Sequence, residues 1–429
     1  MPGLHLLVEA VGEDATVRMP ASLRGLPRET FVLALVAFCV ALGFGIVVPA
    51  VPLFALHFGV STTAAGAVVS AFALMRLLSG LGGGRFVDRV GERVALLVGL
   101  GIVAVSSLLA GLSVSYPQLL VLRGIGGIGS AVFTIASTTL LLRVASAAQR
   151  GQTQSVYRGG FLLGGIIGPA FGGAVIGVSL RAPFFLYAVT LALAMGVAFA
   201  MLPRREVPDK PAQVTLGVGE DDGVAEAVVP EVRTTLSTAL ASPAYRAALA
   251  GNFAVGFSVL GVRSTVVPLL VVRSLHLAPG WVGVAFVVAA LVQAVLLLPA
   301  GRAVDELGRR PMLLAGGLVT ALSLGGLALV TGPVTLLLAM ALFAIGAAVL
   351  GVAPAAIVGD VVEGKGGTAV AVWQMASDLG SVIGPLAAGL LIDHGSFGVA
   401  LVVSASVVAG CTLLGLRIPS GSGSARLRP

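Results

Sequence analysis

The stretch GRFVDRVGER at residues 84–93 has a related copy, GRAVDELGRR, at residues 301–310. Each matching residue of the first copy is followed 217 positions later by its counterpart. The matched glycines and charged residues are Gly84, Arg85, Asp88, Gly91 and Arg93 in the first copy and Gly301, Arg302, Asp305, Gly308 and Arg310 in the second. Gly164, Gly168 and Pro169 match Gly380, Gly384 and Pro385, which lie 216 positions later. A chain that repeats itself after half its length predicts two structurally related halves.

The composition places both halves in a membrane. Of the 429 residues, 57% are hydrophobic and only 10% are charged, and the mean hydropathy is +1.05. Soluble proteins are about 25% charged, so a soluble enzyme with a large core is excluded. About 20 apolar residues cross a bilayer as a helix. The apolar runs predict twelve such spans, roughly at 31–57, 64–84, 94–113, 116–141, 153–178, 182–202, 247–272, 280–300, 311–331, 333–358, 367–392 and 396–417.

The repeat and the spans together predict an all-α membrane protein of two six-helix repeats. Both repeats have the same orientation, related by an axis along the membrane normal, which is one of the known transporter plans. The predicted parts are a tail at 1–30, a first bundle at 31–202, a linker at 203–246, a second bundle at 247–417 and a tail at 418–429. The Pro-rich, charged linker suits a tether for rocking halves and a passive connection equally well.

Positive charge predicts the orientation. Most of the 26 Lys and Arg residues lie in the tails and in the loops after even-numbered spans. By the positive-inside rule both termini and the linker are therefore cytoplasmic. The net charge of +7 belongs to this bias, so no nucleic-acid partner is expected. The first 30 residues lack the order of a signal peptide. The excess of Arg over Lys indicates a bacterial chain, and hence the inner (cytoplasmic) membrane.

The fifth span contains the stretch GGFLLGGIIGPAFGG at residues 159–173, with seven glycines and a proline. Spacing of four places Gly160, Gly164, Gly168 and Gly172 on one stripe of the helix, beside a second stripe of Gly165, Pro169 and Gly173. Small residues at this spacing allow membrane helices to approach closely, and an internal proline bends a helix. We therefore expect a bent helix at a tight inter-helix contact.

These motifs resemble the major facilitator superfamily, and within it the twelve-helix drug:proton antiporters. The fifth-span residues Gly164, Gly168, Pro169, Gly172 and Gly173 are similar to the antiporter motif, and residues 84–93 are similar to the superfamily's loop motif. Further similarity lies in Leu42, Gly43, Pro49 and Pro52 of the first span and in Leu119, Arg123, Gly127, Gly129 and Ala131 of the fourth. Gly126 departs from that last motif, which often has Gln there. The resemblance implies proton-coupled export and places Asp88 opposite the start of the eleventh span.

The charged residues of the 84–93 motif predict a conformational latch. Arg85, Asp88, Arg89 and Arg93 fall in a predicted turn of about ten residues between two spans. An ion-pair network that forms in one conformation and breaks in another biases a two-state equilibrium. The alternative is that Arg89 and Arg93 only set the membrane topology.

Ionisable residues inside spans are costly and point to function. Asp378 is an acid well inside the predicted eleventh span. The resemblance implies that the second and eleventh spans face each other, so we expect Asp378 to meet Arg76, at a similar depth, across the seam between the two halves. Burial favours the protonated acid and a nearby arginine favours the carboxylate. A balance between the two effects lets Asp378 bind and release a proton near neutral pH. A static pair, direct contact with substrate, and pairing of Asp378 with Arg123 or Arg158 remain the alternatives.

Other buried polar residues are candidates for a substrate cavity. Arg76, Arg123, Arg158 and Arg263 together outnumber Asp378, which suits an anionic or zwitterionic substrate because arginine binds carboxylates with a rigid donor fork. Arg263 is expected near the outer end of its span, with its head group at the surface. The further cavity candidates are Tyr157, Trp373, Gln374, Asn252 and Gln293.

No cofactor, metal or catalytic residue is expected. The stretch GIGGIG at 124–129 fits a dinucleotide fingerprint but lies inside a membrane span, without the strand and the acid that such a site needs. The sequence lacks a phosphate loop, so ATP does not drive transport directly. We predict a monomeric secondary transporter that exports a small organic molecule in exchange for protons. Alternatives are a proton-coupled importer of a metabolite and a membrane receptor or enzyme on the same scaffold.

Overall fold

The computed structural model describes residues 26–146, 149–202, 235–362 and 367–418. Over these residues it contains twelve helices that are long and apolar enough to cross a membrane, as the sequence predicts, and no strand. These are α1 Arg28–Leu56, α2 Thr62–Val90, α3 Glu92–Gly111, α4 Tyr116–Val144, α5 Gly151–Ile176, α6 Ala182–Met201, α7 Pro243–Ser274, α8 Gly280–Glu306, α9 Arg309–Leu327, α10 Pro333–Val361, α11 Gly367–His394 and α12 Phe397–Arg417. Most of the predicted linker and tails lies outside the described residues.

The glycine stripe of α5 packs directly against the backbone of α1. A Cβ atom on any glycine of the stripe would overlap a carbonyl oxygen of α1, and the partners are also spaced by four residues. The overlapping pairs are Gly160 with Ala34, Gly164 with Phe38, Gly168 with Leu42 and Gly172 with Ile46. The predicted tight contact is therefore present. The second stripe is not continuous, since Gly165 faces open space whereas Pro169 contacts Gly45.

The same contact recurs in the second half, between α11 and α7. A Cβ atom on Gly380 would overlap the carbonyl of Phe253, and one on Gly384 would crowd that of Phe257 at 2.6 Å. The α11–α7 pair thus repeats the α5–α1 pair, and the sequence match reflects equivalent packing. Polyglycine faces are costly for a helix in water. In a membrane bundle they allow the close backbone approach seen in both halves.

The junction between α2 and α3 is a single residue. Helix α2 continues to Val90 and α3 begins at Glu92, so the prediction of a turn of about ten residues is wrong. Gly91 breaks the helix because its φ of +82° suits glycine and few other residues. Gly308, with φ +97°, has the same role between α8 and α9. Exposed charged residues are tolerated in a helix, so the first residues of the 84–93 motif form the end of α2 and not a loop.

The two halves meet along α2 with α11 and along α5 with α8. We call the end of the bundle where α1 begins the proximal face, and the opposite end, with the α1–α2 and α11–α12 connections, the distal face. Near the distal face Gly173 abuts Gly283, and Gly66 abuts the backbone carbonyl of Pro385. Small residues on both sides therefore bring the halves into backbone contact at this end.

Candidate functional site

An ion pair joins the two halves near the middle of α2. The Nε atom of Arg76 on α2 lies 3.4 Å from Oδ1 of Asp378 on α11. The Asp378 side chain is 19% exposed and that of Arg76 35% exposed. The contact expected from the sequence is thus present, and separation of the halves at this level must break it.

A cavity opens beside this ion pair. Its volume is about 50 Å³, which is below the roughly 300–1,000 Å³ of sites for small organic molecules, so the helices that line it must move apart to admit one. Both halves contribute to its wall. The lining residues are Phe44, Val48, Val51, Val69, Phe72, Ala73, Arg76, Arg123, Leu260, Asp378 and Ser381. The cavity is therefore mainly apolar, with three charged side chains.

Arg123 is the most buried of these charged side chains, with 4% of the residue exposed. Its guanidinium carbon lies 4.6 Å from the ring centroid of Phe72, a distance typical of a cation–π interaction. Within the described parts of the chain it has no ion pair and no hydrogen bond, and its Nε atom is buried without a partner. The structure thus brings Arg76, Arg123 and Asp378 to one cavity.

A second polar contact between the halves lies at the distal face. The carboxylate of Asp393, at the end of α11, accepts hydrogen bonds from the backbone N–H groups of Thr62 and Thr63 at 2.9 and 2.7 Å. Arg273 donates to the Thr62 hydroxyl at 3.3 Å. Between this contact and the central ion pair, the Ser70 hydroxyl donates to the carbonyl of Val382 at 2.6 Å.

All the inter-half hydrogen bonds and ion pairs in the described ranges lie between the distal face and Arg76. On the proximal part of α2, Cβ atoms on Gly80, Gly82 and Gly84 would meet nothing within 4 Å. The structure is therefore closed at the distal face.

Asp393 could not be found from the sequence. It lies 330 residues from Thr63, and only the packing of α2 against α11 brings the two residues together.

Within the described residues, Arg85, Asp88, Arg89 and Arg93 of the 84–93 motif do not form an ion-pair network with one another in this conformation. Arg85, Asp88 and Arg89 are exposed on the last turns of α2 and have no ion pair within the described residues. Arg93 instead donates to the carbonyl of Phe199 on α6 at 2.6 Å. The latch stays a prediction about another conformation.

Two ion pairs at equivalent positions of the halves were missed by the sequence reasoning. Arg143 at the end of α4 binds Glu92 at the start of α3 at 2.8 Å. Arg309 at the start of α9 binds Asp360 at the end of α10 at 2.9 Å. Both pairs span 51 residues, but their charges are reversed. A comparison of identical residues between the repeats cannot detect such a reversal.

The remaining cavity candidates are not among the residues that line this cavity. Tyr157 and Trp373 are buried, whereas Arg158 and Gln374 are exposed. The side chain of Asn252 donates to the carbonyl of Trp373 at 2.6 Å and so joins α7 to α11. This is the helix–helix hydrogen bond that a buried amide typically makes.

Gln293 and Arg263 also lie in the second half and are not among the residues that line the cavity. Gln293 on α8 is partly buried. The head group of Arg263 was expected at the surface, but it is not there. Its guanidinium lies between the rings of Phe286 and Phe343, at 5.2 and 5.5 Å from their centroids. Cation–π contacts on both sides therefore hold this arginine inside the second half.

Comparison with known families supports the architecture over nearly the whole chain. The family model described as Major Facilitator Superfamily matches residues 33–264 and 248–428. The chain belongs to the Major Facilitator Superfamily. It is accordingly a multi-pass membrane transporter and not an enzyme. The two overlapping matches agree with a fold built from two related halves.

Curated relatives of the chain are drug-resistance proteins. It is 25% identical over 373 residues to Multidrug resistance protein 2 of Bacillus subtilis (strain 168), covering 85% of this chain and 89% of that protein. It is 28% identical over 184 residues to the Quinolone resistance protein NorA of Staphylococcus aureus (strain MRSA252), covering 42% of this chain and 46% of that protein. Both of these relatives are named for drug resistance.

Solved structures show the same fold at low identity. The human organic anion transporter MFSD10 (TETRAN) aligns with a TM-score of 0.62 at 18% identity, covering 91% of this chain and all of that chain. A POT family transporter in complex with 5-aminolevulinic acid aligns with a TM-score of 0.72 at 15% identity, covering 92% of this chain and 96% of that chain. Their likeness concerns the arrangement of helices.

Proposed function

We propose that this superfamily member exports a small organic molecule in exchange for protons by alternating access. The observation that carries the proposal is the ion pair between Arg76 and Asp378. It bridges the two halves and also lines the cavity. A group in that position couples the contents of the cavity to the relative position of the halves.

Protonation of Asp378 is the proposed coupling step. A neutral carboxylic acid loses its charge–charge attraction to Arg76, so protonation weakens a link between the halves. Two conformations that differ by a few kcal/mol respond strongly to the loss of such a link. Proton binding then favours separation of α2 from α11, and proton release favours their return.

The observed closure suits the loading step of an exporter. With the predicted orientation, the proximal face is cytoplasmic and the closed distal face is external. Substrate then enters the cavity from the cytoplasm, and the helices that line the cavity move apart to admit it. Relatives named for multidrug and quinolone resistance favour export over import of a metabolite. We place the transporter, as a monomer, in the bacterial cytoplasmic membrane.

Everted membrane vesicles with an acidified interior test the proposal. A pH-sensitive dye reports alkalinisation when cationic, zwitterionic, anionic and neutral aromatic compounds are added in turn. We expect at least one class to alkalinise wild-type vesicles and to have no effect with Asp378→Asn. The matched control is Asp360→Asn, which removes a half-exposed acid from an ion pair within one half.

Each other result of the vesicle experiment has a defined meaning. Equal responses of the wild type and Asp378→Asn would support exchange but make Asp378 structural. Silence of the wild type toward every class, with the protein shown to be folded and inserted, would contradict proton-coupled export and favour import.

A further inference from the structure

The cavity holds one positive charge that no acid of the described chain compensates. Of its three charged side chains, Arg76 has Asp378 as its partner at 3.4 Å. Arg123 has no such partner among the residues that the structure describes, although only 4% of it is exposed. A buried charge without a partner is costly. A ligand that brings a negative charge to Arg123 therefore gains more than the same contact would give in water.

The surroundings of Arg123 define the shape of that ligand. One face of its guanidinium is covered by the ring of Phe72, whose centroid lies 5.6 Å from that of Phe44. Both rings line the cavity. Stacking covers the flat face of a guanidinium and leaves its N–H edge to bind a planar carboxylate. The same rings give a flat apolar body a place to pack.

Proton exchange sets a second requirement, and this step rests on the function proposed above. Substrate and proton must exclude each other, and the group for which they compete is Asp378. A cationic amine competes with a proton for that carboxylate. A ligand that is only anionic does the opposite, because protonation of Asp378 raises the positive charge of the cavity and strengthens its binding. Such a ligand would move together with the proton.

We propose that the substrate is an aromatic zwitterion, with its carboxylate on Arg123 and its ammonium group on Asp378. The ammonium group takes the place of Arg76, and the aromatic body packs against Phe72 and Phe44. A purely cationic ligand satisfies Asp378 but leaves Arg123 without a counter-charge. The zwitterion both occupies Arg123 and competes with the proton.

Three related probes test the charge requirement on the purified full-length chain in detergent. They are 3-(2-naphthyl)alanine, its methyl ester, which is only cationic, and its N-acetyl derivative, which is only anionic. Equilibrium binding is measured by naphthyl fluorescence at pH 7.5 and at pH 5.5. We expect the parent compound to bind at least tenfold more tightly than either derivative at pH 7.5, and to bind more weakly at pH 5.5.

Variants of the buried arginines assign the carboxylate to its residue. Arg123→Gln should weaken binding of the parent compound at least tenfold without weakening that of the ester. Arg123→Lys should retain part of the preference for the parent compound because it keeps the charge. Arg263→Gln is the matched control, since Arg263 is a partly buried arginine between two rings but does not line the cavity. Thermal unfolding confirms that each variant is folded.

Several results would overturn the zwitterion proposal. These are tighter wild-type binding of the ester than of the parent compound, an equal loss for both ligands in Arg123→Gln, and failure of the parent compound to bind. Tight binding of the N-acetyl derivative that strengthens at pH 5.5 would replace the zwitterion with an anion that accompanies the proton. If the parent compound binds through Arg123 but moves no protons in vesicles, proton exchange fails and the substrate class stands. If only the ester drives proton exchange, the substrate class fails and exchange stands.

Discussion

Asp393 accepts two hydrogen bonds from Thr63, one from its backbone N–H at 2.7 Å and one from its hydroxyl at 2.6 Å. The two residues belong to different halves of the transporter. Thr63 lies in the first turn of α2, where backbone N–H groups lack partners within the helix, and a carboxylate interacts favourably with a helix N-terminus. Asp393 therefore caps α2 from the opposite half and helps to hold the distal face closed.

Removing the charge of Asp393 should open the distal face. Asp393→Asn keeps an oxygen acceptor but loses the negative charge at the N-terminus of α2, which is worth about 1 kcal/mol, so we expect the ratio of closed to open molecules to fall about fivefold. Electron paramagnetic resonance distances between spin labels at Val114→Cys and Leu329→Cys report the opening. Both sites are exposed, one in each half, near the distal face, and Cys39 and Cys411 are replaced by serine.

The control for this prediction is Asp360→Asn, which alters an acid within one half. It should leave the distance distribution unchanged. A wild-type distribution in Asp393→Asn would show that the contact with Thr63 does not hold the face closed.

The contact between Gly173 and Gly283 should be essential for closure. A Cβ atom on Gly173 would fall on the backbone of Gly283, so Gly173→Ala must push α5 away from α8. We expect the same pair of labels to show a mainly open distal face and transport to fall at least tenfold. Gly165→Ala is the matched control because a Cβ atom there meets nothing within 4 Å. Normal closure in Gly173→Ala would contradict the role of this contact.

The reversed ion pairs should tolerate an exchange of their charges. Glu92→Arg alone or Arg143→Glu alone places like charges together and should lower the thermal stability. The double variant restores an ion pair and should recover about 0.5 kcal/mol, as exposed pairs do. Thermal unfolding of the four proteins gives the coupling energy. If the stability of the double variant falls by the sum of the two single decreases, the ion pair contributes nothing to stability.

The twelve helices and the glycine contacts followed from the sequence because each depends on local periodicity. An apolar run of membrane length needs no partner to be recognised, and glycines four residues apart share one face wherever the helix lies. The end of α2 was harder to predict. Arg85, Asp88 and Arg89 indicated a loop, yet the helix continues through them, because their side chains are exposed and need no partner inside the bundle.

The site was only partly predictable, because its residues meet through tertiary packing. Arg76 and Asp378 stand out as charges inside apolar spans, and the resemblance to a known superfamily suggested which helices face each other. Nothing local distinguishes Asp393 from an ordinary acid at a helix end. Its function depends on α2 beginning beside it. The ion pair between Arg309 and Asp360 likewise could not be predicted, because its charges are reversed relative to those of Glu92 and Arg143 in the other repeat.

We infer that Asp378 and Arg76 form a proton-operated link between the halves, and pH-dependent distances test this link without any substrate. With the labels at Val114→Cys and Leu329→Cys, distances are measured between pH 5 and pH 8 for the wild type, Asp378→Asn and Asp393→Asn. We expect the wild type to open at the distal face as the pH falls. Asp393→Asn should keep this response, while Asp378→Asn should remain equally open at every pH. A pH response of Asp378→Asn equal to that of the wild type would contradict the claim.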